Sequence, residues 1–302
     1  MPVRGKLLLA TCSLLPVLLL VGACGQAAGH VHSHPAAAQG DSPARHDPGP
    51  GTRTANGTAT STTTIPAIPG PWHVVALGDS VTSGARCGCT AFPQLYARDL
   101  GRARGARVTV QNLGRNGQDT TGLLALLRRA GSTPESAVRR ADIVLLTIGA
   151  NDFGDHHDDV VADRCALDGQ DSCVDGELHR LRHNMRALLQ RVRDLRGRRP
   201  TAVLVTGYWN VFEDGAVARR AFSPAGFRAT RTLTFQADTV LRDAARGEGA
   251  TFVGLYAPFH GPAAHGDVTN LLASDGNHPN AAGQSLIAQR LLAAGLRGLV
   301  KG

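Results

Sequence analysis

The stretch "ADIVLLTIGAND", residues 141–152, decides the architecture. From Ile143 to Ile148 it is apolar except for one threonine, and it lacks the polar alternation of a strand with one wet face. Such a run belongs in the interior of a parallel sheet, covered by helices on both sides. The pattern spreading outward agrees. "HVVALGD" (73–79) and "RVTVQNLG" (107–114) read as strands upstream, and "TAVLVTGYW" (201–209) and "ATFVGLYAP" (250–258) as strands downstream. Between and after them lie helical stretches at 92–104, 120–131, 176–197, 227–249 and 280–296. In the third of these, Leu178, Leu181, Met185, Leu188, Val192 and Leu195 recur at three- and four-residue steps, which gives one buried stripe. Its arginines fall elsewhere, as a solvated face or one turned to a membrane. Strands alternating with helices imply crossover connections and an α/β fold with a mainly parallel five-stranded sheet.

The two ends of the chain differ in kind. Residues 1–23 carry Arg4 and Lys6, then an apolar run interrupted by Thr11, Cys12, Ser13 and Pro16, then small residues. The run is short for a membrane span and reads as an export signal. "LVGAC" resembles a bacterial lipobox, which implies cleavage before Cys24 and lipid on its sulfur; ordinary cleavage and free secretion is the other outcome. Residues 24–70 hold almost no large apolar side chain and cannot repay the cost of ordering. They are expected to form a disordered tether, with a root-mean-square span of roughly 35–40 Å. "HVHSH" at 30–34 is a weak metal-binding candidate within it. Residues 71–302 are then one domain, long enough to bury a full core.

The formal net charge is +8, and it falls by two if Arg4 and Lys6 leave with the signal. A basic exported protein suits anionic lipid or wall polymer, or no partner at all. No nucleic-acid motif accompanies the charge, and no obligate protein partner is evident. Cys87, Cys89, Cys165 and Cys173 remain in the mature domain, an even number for an oxidising compartment. Cys165–Cys173 is the preferred pair. A Cys87–Cys89 bond would close a tight ring, so cross-pairing stays open. Their spacing fits no common zinc pattern.

Ligands of open α/β sheets bind beyond the carboxyl ends of the strands. There the sequence places Gly78-Asp79-Ser80, then Asn112, Gly114, Asn116 and Gly117, then Asn151-Asp152, and "SDGNHPN" with Asp275 and His278 before the last helix. Alone, Ser80 reads as a turn hydroxyl. Together these residues supply a hydroxyl, an imidazole that titrates near neutral pH, a carboxylate three residues before it, and donors for an oxyanion. Asp79 and Asp152 read as loop ties. His156, His157, Asp158 and Asp159 are a weak metal candidate, and His260 and His265 have no evident partner. Tyr208, Trp209 and Phe212 would line a substrate pocket or pack in the core.

The four blocks "GDS", "NLGRNG", "GAND" and "DGNHP" resemble, in order and context, the signature blocks of the SGNH/GDSL hydrolase superfamily, from residue 73 to about 298. The resemblance implies a flavodoxin-like three-layer α/β/α sandwich and ester hydrolysis without a cofactor. By position it implies Ser80 as nucleophile, His278 as base and Asp275 as its partner. The oxyanion donors it implies are the Ser80 N–H, the Gly117 N–H and the Asn151 amide. Val81 stands where the eponymous motif has leucine. Gly114 competes with Gly117, which is preferred for its place five residues after Asn112. The alternative α/β-hydrolase motif, G-x-S-x-G, is not met around Ser80. The expected activity is a carboxylesterase or lipase working through an acyl-enzyme. The alternatives are a polysaccharide O-deacetylase and, in another class, a non-catalytic surface lipoprotein that binds carbohydrate or lipid.

Overall fold

The computed structural model describes residues 71–168, 172–197 and 199–299. The expected signal peptide, Cys24, the tether and the 30–34 histidines lie outside the described residues. In chain order the elements are β1 (Trp72–Gly78), α1 (Ser80–Ser83), α2 (Phe92–Arg104), β2 (Val108–Gly114), α3 (Thr120–Arg128), α4 (Thr133–Arg140) and β3 (Ile143–Thr147). A 3-10 turn (Ala150–His156) leads to α5 (His157–Val161), α6 (Asp175–Arg196), β4 (Ala202–Thr206), α7 (Gly215–Ala221) and α8 (Pro224–Gly247). The chain continues through β5 (Thr251–Val253), α9 (Tyr256–His260), a 3-10 turn (Thr269–Leu271) and α10 (Ala281–Ala293).

The five strands run in the order β2-β1-β3-β4-β5, and every pairing is parallel. All five residues of β3 are buried, as its continuous apolar run demands. Right-handed crossovers put α2 on one face of the sheet and the helices leading into β3, β4 and β5 on the other. Accordingly α10 packs on α2, while α6 packs on α3, α4 and α8. Of the expected α6 stripe, Leu181, Met185, Leu188, Val192 and Leu195 are buried, and Leu178, in the first turn, is only partly buried against the core.

The last three strands are shorter than the sequence suggested. β3 stops at Thr147, β4 at Thr206 and β5 at Val253, and "YAP" continues as α9. Apolar residues beyond these points are buried by loop and helix packing, which a hydrophobic run cannot distinguish from strand. α4 was not expected, although Ser132 caps it through the Glu135 N–H at 3.2 Å and Pro134 opens its first turn. Both local cysteine pairs form, Cys87–Cys89 and Cys165–Cys173, so the cross-pairing alternative is excluded. Among the described residues no helix is long and apolar enough to cross a membrane.

Candidate active site

Strand register sets the stage. Gly78 of β1 is level with Gly114 of β2 and with Thr147 of β3, so three strands end side by side. The chain after each leaves the same edge, carrying Ser80, Gly117 and Asn151 within four residues of that line.

Ser80 opens α1. Asp79 caps this helix by accepting the Val81 N–H at 2.9 Å. Two of the helix carbonyls are satisfied from distant elements, while Ser80 O accepts locally from the Ala85 N–H and the Ser83 hydroxyl at 3.0 Å each. Thr82 O accepts the Asn112 amide at 2.7 Å, and Val81 O accepts the Gln284 amide at 3.3 Å. Gln284, buried in α10, also accepts the Phe92 N–H at the start of α2, so one side chain fixes the α1 turn to both neighbouring helices. The Ser80 hydroxyl itself makes no hydrogen bond among the described residues, and neither does its N–H. Ser80 lines the cavity described below.

Gly117 sits third in the turn closed by Gln118 N–H to Arg115 O at 3.1 Å, with φ at 71°. That left-handed conformation favours glycine, and a Cβ there would meet nothing within 4 Å. The Asn151 amide donates to Gln118 O at 2.9 Å, which ties the β2 and β3 loops together and leaves its second N–H free. Beneath them Asp152 accepts the N–H of Thr120 at 3.1 Å and also its hydroxyl. Asn184 of α6 donates to Thr120 and Thr121 at 3.0 Å each. Asp152 is a loop tie, as expected, and its pKa is raised by burial despite the Thr120 donors.

Asp275 and His278 sit in the loop before α10. Asp275 Oδ1 accepts the Asn277 and His278 N–H groups at 3.0 Å each, and Oδ2 accepts from His278 Nδ1 at 2.7 Å. Partial burial would raise this carboxylate, but the backbone and ring donors of His278 and the Asn277 N–H outweigh it and hold the pKa below the ordinary value. With the Nδ1 proton committed to Asp275, Nε2 carries the free lone pair.

Asp79 has the opposite surroundings. It is fully buried, and desolvation pushes its pKa up to about 6, against the pull of Tyr208 and the Val81 N–H. Tyr208 donates its hydroxyl to Asp79 Oδ2 and is itself raised well above its usual value by burial and that carboxylate. This contact spans 129 residues of sequence and had no local signal. Tyr208 is buried and is at the same time one of the residues that line the cavity described below, as the sequence allowed. Trp209 and Phe212 belong to the core, with Trp209 stacked on Phe259 at 4.4 Å.

Ser80, Gly117, Asn151 and His278 line one cavity of about 290 Å³, together with Asn116, Asn210, Asn277 and Arg86. Its walls are mostly polar. Four other histidines singled out in the sequence have separate partners. His156 pairs with Glu177 at 3.2 Å, and His157 bridges Asp158 and Glu213 at 2.9 Å each. His260 is buried against Asp214 at 3.1 Å, and His265 lies beside Arg231 at 3.3 Å. The site arrangement can present a hydroxyl, a ring nitrogen and up to three N–H donors to one carbonyl group.

Residues 76–286 match the GDSL-like lipase/acylhydrolase family. No curated protein matches the chain. Among solved structures, a lipase from a goat rumen metagenome is 19% identical, with a TM-score of 0.61 over 76% of this chain and 100% of that one. Phospholipase A1 from Streptomyces albidoflavus is 21% identical, with a TM-score of 0.54 over 74% of this chain and 99% of that one. A variant of an acetyl xylan esterase from Geobacillus stearothermophilus is 18% identical, with a TM-score of 0.54 over 76% of this chain and 96% of that one. At these identities the solved structures speak for a shared fold.

Proposed function

The chain belongs to the GDSL-like lipase/acylhydrolase family and is a hydrolase of ester bonds; from that premise we propose that it works through an acyl-enzyme on Ser80. The carrying observation is that Ser80, Gly117, Asn151 and the Asp275-oriented His278 ring border one small cavity. Ser80 Oγ attacks the ester carbonyl carbon as His278 Nε2 takes its proton. The carbonyl oxygen becomes an oxyanion between the Ser80 N–H, the Gly117 N–H and the Asn151 amide. The C–O bond to the alcohol then breaks, and the departing oxygen takes the proton from Nε2. Water repeats the sequence on the acyl-enzyme, releases the acid and restores Ser80. Asp275 holds the ring and stabilises the imidazolium.

The cavity's size and its asparagine walls favour short acyl groups on polar alcohols. The second reading, a polysaccharide O-deacetylase, draws support from the same walls and from the likeness to an acetyl xylan esterase. The domain is proposed to act outside the cytoplasm, held by lipid on Cys24 at the end of the 24–70 tether. Hydrolysis of p-nitrophenyl esters from acetate to laurate tests the activity. The parent is expected to turn over the short chains best, and Ser80→Ala to lose on the order of 10⁴-fold or more in kcat. Equal rates in the two proteins would remove Ser80 from the mechanism.

A further inference from the structure

We infer that Arg86 forms an anion subsite for the alcohol part of the substrate, so that the preferred ester carries a carboxylate or phosphate on its leaving group. This rests on the assignment of Ser80 and His278 above. Arg86 is the one arginine or lysine among the described residues that line the cavity. Its backbone is left-handed, with φ at 59°, a conformation that only Asp163 and Ala264 share among the described non-glycine residues. Residues held this way need surroundings that over-determine them. Those surroundings are present. Gly84 and Gly88 flank Arg86 with φ of 77° and 58°, and the Cys87–Cys89 bridge closes the turn with Cα atoms 5.0 Å apart. Ala85 N–H and Cys87 N–H bond back to Ser80 O and Gly84 O at 3.0 and 3.3 Å, and a Cβ on Gly84 would come within 2.7 Å of the Ala91 Cβ. The turn is thus built against the Ser80 helix, and it is the turn that carries Arg86.

The Arg86 side chain is 75% exposed, and among the described residues its guanidinium makes one long ion pair, with Nε 3.9 Å from Asp275 Oδ2. That is beyond hydrogen-bond reach, and Asp275 already accepts from Asn277 and twice from His278. Among the described residues Arg86 makes no hydrogen bond, so its planar set of five donors is unspent. Such a fork matches the paired oxygens of a carboxylate or phosphate. The proximity to Asp275 places it on the side of the His278 ring, and that ring hands its proton to the departing alcohol. An anion recognised there belongs to the leaving group rather than to the acyl chain.

Three acetyl esters with leaving groups of similar size test this: 4-acetoxybenzoate, 4-acetoxyphenyl phosphate and the neutral 4-acetoxybenzamide. In Arg86→Met, kcat/KM for at least one anionic ester is expected to fall about tenfold or more, with the benzamide held within about threefold. Whichever anionic ester loses more identifies the group recognised. Arg86→Lys should restore part of the loss, and Cys87→Ser with Cys89→Ser should reproduce part of it. An unchanged ratio of anionic to neutral turnover in Arg86→Met would overturn the subsite. So would an equal fall on all three esters, which would make Arg86 a support for Asp275. Turnover of none by the parent would instead overturn the esterase assignment, and the subsite with it.

Discussion

Asp79 immediately precedes Ser80, and Asp275 precedes His278 by three residues, yet the two carboxylates live in opposite surroundings. Asp79 is sealed beneath the α1 turn, shares a hydrogen bond with Tyr208, and is pushed up to about 6 by desolvation. Asp275 is about one-third exposed, accepts three N–H bonds from its own loop, and is held below its ordinary value. The first turn spends stability to be rigid: an acid that resists ionisation is buried so that α1 has a cap and Tyr208 has an acceptor. The second keeps a charge where a charge is useful, beside the ring proposed to carry a proton during turnover. Position next to a reacting group does not by itself make a carboxylate part of the chemistry.

The largest expected effect separates the two by activity. Asp275→Asn should lower kcat by about 10⁴-fold, because an amide at that position can hold the wrong ring tautomer. Asp79→Asn should cost far less, since an asparagine can still accept the Val81 N–H and face Tyr208. Steady-state kinetics on a short p-nitrophenyl ester measures both, and losses of equal size would end the distinction.

The next effect is one of stability against pH, and its sign differs between the turns. The folded-state pKa of Asp79 is raised, so the folded protein binds a proton that the unfolded chain gives up near pH 4. Its stability therefore falls as pH rises from about 4 to 6, and Asp79→Asn removes that fall. Relative to the parent, the variant should gain on the order of 2–3 kcal/mol between pH 4 and 7. Denaturant unfolding at a series of pH values measures it, and a flat difference would mean that Asp79 ionises freely. Asp275 has a depressed folded pKa, so its contribution is present above about pH 4 and lost as pH falls through the lower folded value. Asp275→Asn should therefore be the less stable protein at pH 7 and should converge on the parent in acid. Because the side chain is partly exposed, this difference should stay under about 1 kcal/mol. The same titration that shows Asn gaining at position 79 should show it losing at position 275.

Much of this was legible in the sequence because its signals are local. The buried core of β3, most of the α6 stripe and the Asp275–His278 contact each lie within one segment, and the structure has each of them. What escaped was carried by contacts between distant segments. Nothing near Asp79 indicates Tyr208, 129 residues on, and nothing near Ser80 indicates that Gln284 would hold both Val81 and Phe92. The ends of β4 and β5 escaped for a different reason. Trp209 and Tyr256 are buried in loop and helix, and burial alone does not report backbone geometry. The cysteine pairing stayed open because spacing constrains loop closure without fixing which Cβ atoms face each other.

The central claim is that Ser80 is the hydroxyl that His278 activates. The most direct measurement is peptide mass spectrometry of the protein after treatment with a fluorophosphonate ester, which adds covalently to an activated serine and releases fluoride. One adduct is expected, on the peptide carrying Ser80, with none on Ser80→Ala and much slower labelling in His278→Ala. An adduct on another residue, or an unlabelled Ser80 in protein that hydrolyses esters, would contradict the assignment.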